Sequence, residues 1–187
     1  MPEQLSDWID RARQGDEAAF AALYDRFERS IHSLCHHLLD DPDEADDAVQ
    51  ETFVTVWQNL PRLRHNPAFS TWLRGAAVNV CRHRQRKHRW LRPFSALGRG
   101  EEPPEPVDPA PDAADNLARQ DLSAHVRQAL HQLSEPHREV IVLHHLEGLP
   151  LDEIAASLGV AVGTVKSRLG RARGHLERLL LPYLSEE

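Results

Sequence analysis

The feature that most limits the fold is an acidic, proline-rich stretch in the middle of the 187-residue chain. Residues 93–118 carry six acidic side chains and one basic one, and residues 101–115 contain five of the thirteen prolines. This stretch has too few apolar side chains to enter a hydrophobic core, so it is predicted to be an extended linker that can reach about 80 Å at ~3.1 Å per residue. The chain is therefore predicted to form two small domains, residues 1–92 and 119–187, joined by a flexible linker over residues 93–118.

The charge is distributed unevenly along the chain. Residues 1–61 carry 14 acidic and 4 basic side chains, whereas residues 62–92 carry nine basic side chains and no acid. The overall net charge of −7 excludes a strongly basic, histone-like protein. The basic block nevertheless marks one segment as a candidate for binding nucleic acid.

Apolar runs are short, and the N-terminus has no basic segment followed by an apolar one. No run approaches the ~20 apolar residues of a membrane helix, so we expect no membrane insertion and a cytoplasmic location. The two cysteines do not imply a disulfide framework.

Both predicted domains show helical periodicity with no hairpin signals, so the fold is predicted to be all-α. Several helix starts are predicted from capping residues: Asp16, Asp41 before Pro42, Ser70, and Ser134 before Glu135 and Pro136. Gly148 and Gly159 are predicted to interrupt the helices of the second domain.

Residues 151–176 show the strongest local pattern, two helices joined at Gly159. Apolar residues at helical spacing form one stripe (Ile154, Ala155, Leu158, Val165, Leu169, Ala172, Leu176), which predicts a helix-turn-helix. The second helix of such a unit lies in the DNA major groove. Its side opposite the stripe carries Gly163, Lys166, Ser167, Gly170, Arg171 and Gly174, with Thr164 and Arg168 on the flank. The alternative is a helical hairpin whose arginines are merely solvated.

Residues 69–92 predict a basic helix whose apolar side is Leu73, Ala76, Ala77 and Val80. The opposite side carries Gly75, Asn79, Arg82 and Arg86, with Trp72 on its edge. Basic side chains neutralise phosphates and aromatic rings stack on unpaired bases, so this helix is a candidate reader of single-stranded DNA. The alternative for Phe69 and Trp72 is a place in the hydrophobic core.

Residues 43–57 predict an acidic helix. Ala45, Ala48, Val49, Thr52, Phe53 and Val56 form its buried side, and the opposite side exposes acidic residues together with Val54 and Trp57. Such a surface is a candidate for protein docking, and the alternative is a solvated acidic face.

In this order the segments resemble the sigma-70 family of bacterial initiation factors, in its extracytoplasmic-function (ECF) group. ARQGDEAAFAALYDRF resembles the opening helix of the first domain, DEADDAVQETFVTVW its polymerase-binding helix, and FSTWLRGAAVNVCRHRQR its promoter-melting segment. LPLDEIAASLGVAVGTVKSRLGRARGHL is similar to the reader of the minus-35 element. Ala161 stands where the family often has proline, and Gly170 is smaller than usual, so the exact minus-35 bases do not carry over.

The resemblance implies partners and residue roles. The partners would be core RNA polymerase (the beta-prime clamp and the beta flap), promoter DNA and an anti-sigma factor. Polymerase would be bound by Asp46, Asp47, Gln50, Glu51 and Trp57. The minus-10 element would be bound by Arg64, His65, Asn66, Phe69, Trp72, Asn79, Arg82 and Arg86, and the minus-35 element by Gly163, Thr164, Lys166, Ser167, Arg168 and Arg171.

Two other classes of function were considered. A stand-alone helix-turn-helix repressor would explain residues 151–176. It would leave the acidic helix (43–57) and the basic helix (69–92) without a function. An enzyme or metal sensor is suggested by His32, Cys35 and His36, which share one helical face, but no fourth ligand and no catalytic motif accompany them. The sequence therefore predicts no catalytic residue, no cofactor and no metal.

Overall fold

The structure is a computed structural model that describes residues 2–63, 68–91 and 124–184. Within these ranges the secondary structure is helical with no strand, which confirms the all-α prediction. None of the described helices is long and apolar enough to cross a membrane. The helices are α1 (Pro2–Arg13), α2 (Glu17–Leu38), α3 (Pro42–Asn59), α4 (Phe69–Leu91), α5 (124–132), α6 (Glu135–Ile141), α7 (Leu151–Leu158) and α8 (Val162–Leu184).

Two of the predicted capping residues accept hydrogen bonds from the first turn of a helix. Asp16 accepts from the backbone N–H of Ala19 at 3.0 Å, and Asp41 accepts from the N–H of Asp43 at 2.9 Å. Ser134 precedes α6 as predicted, but its hydroxyl contacts the ring of His137 instead of a backbone N–H. The prediction for Ser70 was wrong, because α4 begins at Phe69 and Ser70 lies inside its first turn.

The N-terminal helices α1–α4 pack their apolar sides together. All six residues predicted for the inner side of α3 are buried. Phe69, at the start of α4, is 1% exposed and its ring centroid lies 5.5 Å from that of Phe27 on α2. Burial of a large apolar side chain contributes about 1.5–3 kcal/mol. This packing fixes which sides of α3 and α4 remain on the outside.

The helix-turn-helix is present as α7, a turn at Gly159, and α8. Gly159 has a φ of +65°, the left-handed conformation that glycine adopts without strain, and it ends α7. The N–H of Val160 then donates to the carbonyl of Ala155 at 3.0 Å. Along the predicted stripe Leu176 is half-buried and the other six residues are buried.

The N-terminal and C-terminal helices share one continuous hydrophobic core. Arg138 on α6 is central to the junction, since its buried guanidinium donates to the carbonyl of Leu38 at the end of α2 at 2.8 Å. It also donates to the carbonyls of Leu130, His131 and Leu133 at the end of α5. Burial lowers the pKa of Arg138. A cation placed at two helix C-termini stabilises both ends and ties the two domains together.

Helices α4 and α7 form the closest contact between the domains. A Cβ atom added at Gly75 would lie 2.6 Å from the carbonyl oxygen of Ser157, so only glycine allows this approach. The Ser157 hydroxyl donates to the carbonyl of Thr71 at 3.1 Å. The sequence placed Gly75 on an outward side of α4, and in this structure that prediction is wrong because α7 covers it.

Candidate functional site

The outer side of α3 is an acidic surface with exposed apolar atoms. Asp46, Asp47 and Gln50 are exposed, and Val54 is 55% exposed among them. We use the term α3 face for the residues predicted here: Asp46, Asp47, Gln50, Glu51 and Trp57.

An apolar groove of about 440 Å³ opens beside the α3 face. The ring centroid of Phe20 on α2 lies 4.8 Å from that of Trp57, and the ring centroid of Tyr24 lies 4.5 Å from that of Phe53. The sequence analysis missed Phe20 and Tyr24, because periodicity marks a side chain as apolar without showing which helix it meets. An aromatic groove beside an acidic surface suits a partner that presents both basic and apolar side chains.

Arg84 on α4 binds three carboxylates of α3. Its guanidinium nitrogens lie 2.8 Å from Glu44, 2.9 Å from Glu51 and 3.3 Å from Asp47. One cation of the basic helix is therefore used inside the protein and is not free for phosphate. The same ion pairs hold Asp47 and Glu51 in place on the α3 face.

Asp46 faces two histidines of α2. Its Oδ1 atom lies 3.0 Å from Nε2 of His36 and 3.2 Å from Nε2 of His32. The hydrogen bond from His36 lowers the pKa of Asp46. The trio considered from the sequence is not brought together, since Cys35 is fully buried and is not in the group that His32 and His36 form. Asp46 takes its place beside His32 and His36.

A second groove, of about 680 Å³, runs along α4. Trp72 is half-buried in its wall, while Asn79 and His83 are exposed along it. The wall is completed from the other domain by Ala156 and Ser157 of α7. We call it the α4 groove.

Arg82 lies next to the α4 groove and is tied to the other domain. Its Nη2 and Nε atoms donate to the carboxylate of Glu139 at 2.6 and 2.5 Å. Glu139 is 3% exposed and Arg82 is half-buried, so this is a two-point ion pair that is buried on one side only. Arg82 was predicted to face outward, and in this structure it is half-buried because it contacts Glu139 of α6. Arg86, one turn further along α4, is exposed as predicted.

Four further residues were predicted for the minus-10 element. Arg64, His65 and Asn66 lie outside the described residues. Phe69 is in the hydrophobic core, so its ring is not available to a base in this conformation.

The outer side of α8 is open to solvent. Gly163, Lys166, Ser167 and Arg171 are exposed, and Thr164 and Arg168 are half-buried on the flank, as the helical pattern predicts. A Cβ atom added at Gly163, Gly170 or Gly174 would meet nothing within 4 Å. Burial and the nearby Arg171 and Arg168 lower the pKa of His137, a sign of the positive potential on this side.

Comparison with known proteins identifies the family of the chain. Residues 23–91 match Sigma-70 region 2, and residues 124–176 match Sigma-70 region 4. RNA polymerase sigma-H factor of Pseudomonas aeruginosa is 31% identical over 199 residues, covering 98% of this chain and 97% of that protein. The ECF RNA polymerase sigma factor SigW of Bacillus subtilis is 33% identical over 184 residues, covering 96% and 98%. The chain belongs to the sigma-70 family, in its extracytoplasmic-function group.

Chains in two solved complexes resemble this one. CnrH in complex with the cytosolic domain of CnrY aligns with a TM-score of 0.71 and 29% identity, covering 95% of this chain and 97% of CnrH. RpoE in complex with the anti-sigma factor NepR, from Bartonella quintana, aligns with a TM-score of 0.66 and 27% identity, covering 86% and 96%. The protein is thus a transcription initiation factor that directs RNA polymerase to promoters, and it is not an enzyme. Region 2 includes α3 and α4, and region 4 includes the helix-turn-helix.

The contact between regions 2 and 4 of this sigma factor can be tested with a double variant, Gly75→Ala with Glu139→Gln. The alanine Cβ atom clashes with Ser157, and the glutamine replaces a charge-assisted pair worth about 1.5–3 kcal/mol with a weaker one. We expect region 4 to separate from region 2, with an increase in the radius of gyration measured by small-angle X-ray scattering.

The matched control is Gly170→Ala with Glu177→Gln, the same two chemical changes at positions of α8 that face solvent. This control should scatter as the unaltered chain does, and circular dichroism should show both variants helical. Identical scattering from the two double variants would contradict the contact.

Proposed function

We propose that this sigma factor docks on core RNA polymerase through the α3 face while the DNA-reading side of α4 is still covered by region 4. The supporting observation is the contrast between two surfaces of region 2. Asp46, Asp47 and Gln50 of the α3 face are open to solvent. Gly75 and Arg82 of α4, in contrast, contact α7 and α6. Promoter melting would then follow polymerase binding and not precede it.

The α3 face has the properties expected for docking on the beta-prime clamp. Its acidic groups attract a basic partner, and the exposed Val54 and the half-buried Trp57 offer apolar area next to the aromatic groove. The buried inner side of α3 and the ion pairs of Arg84 hold the surface rigid before the partner arrives. We assign the docking role to the α3 face as a whole.

The outer side of α8 is proposed to read the minus-35 element in the major groove. Lys166 and Arg171 are exposed five residues apart on the side opposite the buried stripe, where they can reach base edges or phosphates. The small residues around them leave room for the DNA backbone to approach. Gly163, Thr164, Ser167 and Arg168 complete this proposed surface. Region 4 would also contact the beta flap.

The α4 groove is proposed to hold an unpaired base of the minus-10 element. Trp72 offers a partly exposed ring for stacking and Asn79 an exposed amide for hydrogen bonding. Arg82 and Arg86 would bind the strand backbone, and Arg64, His65 and Asn66, which precede α4 in the sequence, would contribute as well. The burial of Phe69 favours a structural role for that ring.

We also propose that an anti-sigma factor holds this chain inactive in the cytoplasm. The solved relatives CnrH and RpoE were each determined in a complex, RpoE with the anti-sigma factor NepR. Those chains align with most of this one, including both regions, which supports a packed arrangement that a partner can retain.

Asp47→Arg with Gln50→Ala should weaken association with core polymerase. Both residues are exposed on the α3 face, and a reversed charge in such an interface costs several kcal/mol, so we expect affinity to fall by about tenfold or more. Affinity is measured by fluorescence anisotropy of the labelled full chain titrated with core polymerase.

The matched control is Asp10→Arg with Gln4→Ala, two exposed positions of α1 that undergo the same changes. It should bind as the unaltered chain does. Equal affinity of the α3 variant and this control would remove the docking role from the α3 face.

Trp72→Ala should impair promoter opening and spare closed-complex formation. A ring that stacks on an extruded base contributes about 1–3 kcal/mol only after the base has left the duplex. We expect loss of permanganate-reactive thymines in the minus-10 element, and recovery of transcription on a template whose minus-10 strands are already unpaired.

Arg171→Ala is the comparison variant, because it alters duplex reading. It should weaken closed complexes, and a pre-melted template should not restore its transcription.

A melting curve must show that Trp72→Ala is folded, since the ring centroid of Trp72 lies 6.1 Å from that of Phe69 in the unaltered chain. If folded Trp72→Ala opens promoters normally, the ring is structural and the proposed role is wrong.

A further inference from the structure

We propose that His32, His36 and Asp46 form a binding site for a divalent transition-metal ion such as Zn²⁺, Co²⁺ or Ni²⁺. We further propose that a metal bound there weakens docking on core polymerase. The second statement rests on the docking role proposed for Asp46, and the first does not.

The three side chains converge on one point from two helices. The ligand atoms, one from each residue, all lie within 4.8 Å of one another. Asp46 Oδ1 is 3.2 Å from His32 Nε2 and 3.0 Å from His36 Nε2. In a tetrahedral site with metal–ligand bonds of about 2.0–2.2 Å, neighbouring ligand atoms are about 3.4 Å apart. Small side-chain rotations would therefore admit an ion.

The helices hold the ligands close to this arrangement. His32 and His36 are four residues apart on α2, the spacing that puts two imidazoles on one side of a helix. Their ring centroids lie 4.1 Å apart. Between the helices, Cys35 of α2 and Ala45 of α3 are fully buried, which anchors each ligand-bearing turn. A metal would meet a site that is largely formed in advance.

Both imidazoles lie within hydrogen-bond distance of one carboxylate oxygen of Asp46. His36 is hydrogen-bonded to it, and the Nε2 atom of His32 lies 3.2 Å from the same atom, which can accept from both rings. A metal ion would bind the same three atoms directly. Two imidazole nitrogens and one carboxylate oxygen around a common point are a donor set for a single cation.

The donor set also selects the kind of metal. Two imidazole nitrogens and one carboxylate oxygen suit Zn²⁺, Co²⁺, Ni²⁺ and Cu²⁺, whereas Mg²⁺ and Ca²⁺ prefer sites made of oxygen. His32 and Asp46 are exposed and His36 is half-buried, so water can complete the coordination shell. The site resembles open three-ligand sites in its ligand count.

A bound metal would change the α3 face. A carboxylate oxygen of Asp46 would coordinate the ion, and two positive charges would be added at the edge of an acidic surface. A partner with basic side chains would be repelled where it is now attracted. Metal binding and polymerase binding would therefore oppose each other, and linkage requires the effect to be reciprocal.

Metal binding is tested by titrating the full chain with Co²⁺, followed by visible absorption, and by displacing the Co²⁺ with Zn²⁺. We expect one site per chain, and a loss of affinity of about tenfold or more in His32→Ala, His36→Ala and Asp46→Asn, since even residues behind a ligand are worth about 10- to 100-fold. The matched control is His37→Ala. His37 is the next residue on α2 and its Nδ1 atom lies 2.7 Å from the carbonyl of Ser33 instead of near Asp46.

The site would be overturned if His32→Ala and His36→Ala bound Co²⁺ with the same affinity as the unaltered chain. It would also be overturned if His37→Ala lost as much affinity as they do. No saturable Co²⁺ binding by the unaltered chain would overturn it as well.

The effect on docking is measured by titrating labelled chain with core polymerase in EDTA and then with Zn²⁺ in excess over the chelator. We expect Zn²⁺ to lower the affinity of the unaltered chain for core polymerase by about tenfold and to leave that of His32→Ala unchanged. This comparison separates the site from effects of zinc on polymerase itself.

If Co²⁺ binds as predicted but Zn²⁺ does not alter docking, the metal site stands and its regulatory effect is wrong. Failure of the α3 variant described above would instead remove the docking role.

Discussion

One side of α4 cannot contact α7 and a DNA strand at the same time, and the arrangement of the whole molecule depends on this constraint. Gly75 lets the two helices approach until a Cβ atom would clash with Ser157. Arg82, whose guanidinium is suited to phosphate, is bound to Glu139 instead. The same residues that would hold the minus-10 strand in an open molecule hold the two regions together in this one.

The acidic α3 and the basic α4 are joined by internal ion pairs as well as by apolar packing. Arg84 neutralises part of the acidic surface and fixes Glu51, which is half-buried. The exposed carboxylates of the α3 face are Asp46 and Asp47, the latter 3.3 Å from Arg84, and the uncharged Gln50 lies beside them. An acidic surface held rigid in this way keeps its charge available to a partner, and it remains open when the α4 groove is partly closed by region 4.

The sequence predicted the features that depend on local periodicity and capping. The buried stripe of the helix-turn-helix, the left-handed Gly159 and the caps Asp16 and Asp41 all follow from residues within a few positions of one another. It did not predict contacts between distant residues, because a helical pattern shows which side of a helix is polar but not what covers that side. Gly75 with Ser157, Arg82 with Glu139, and Arg138 with the carbonyl of Leu38 are contacts of this kind. For the same reason the sequence did not predict that Asp46, and not Cys35, lies beside His32 and His36. The spacing of residues on α2 cannot reveal a side chain that comes from α3.

The central claim is that region 4 covers α4 in the free sigma factor and moves away when core polymerase binds. The direct measurement is energy transfer between dyes on cysteines introduced at Asp10 and Glu177, both exposed, with the native Cys35 and Cys81 protected by burial. We expect efficient transfer in the free chain and a marked decrease when core polymerase is added without DNA. Transfer that stays the same in the polymerase complex would contradict it.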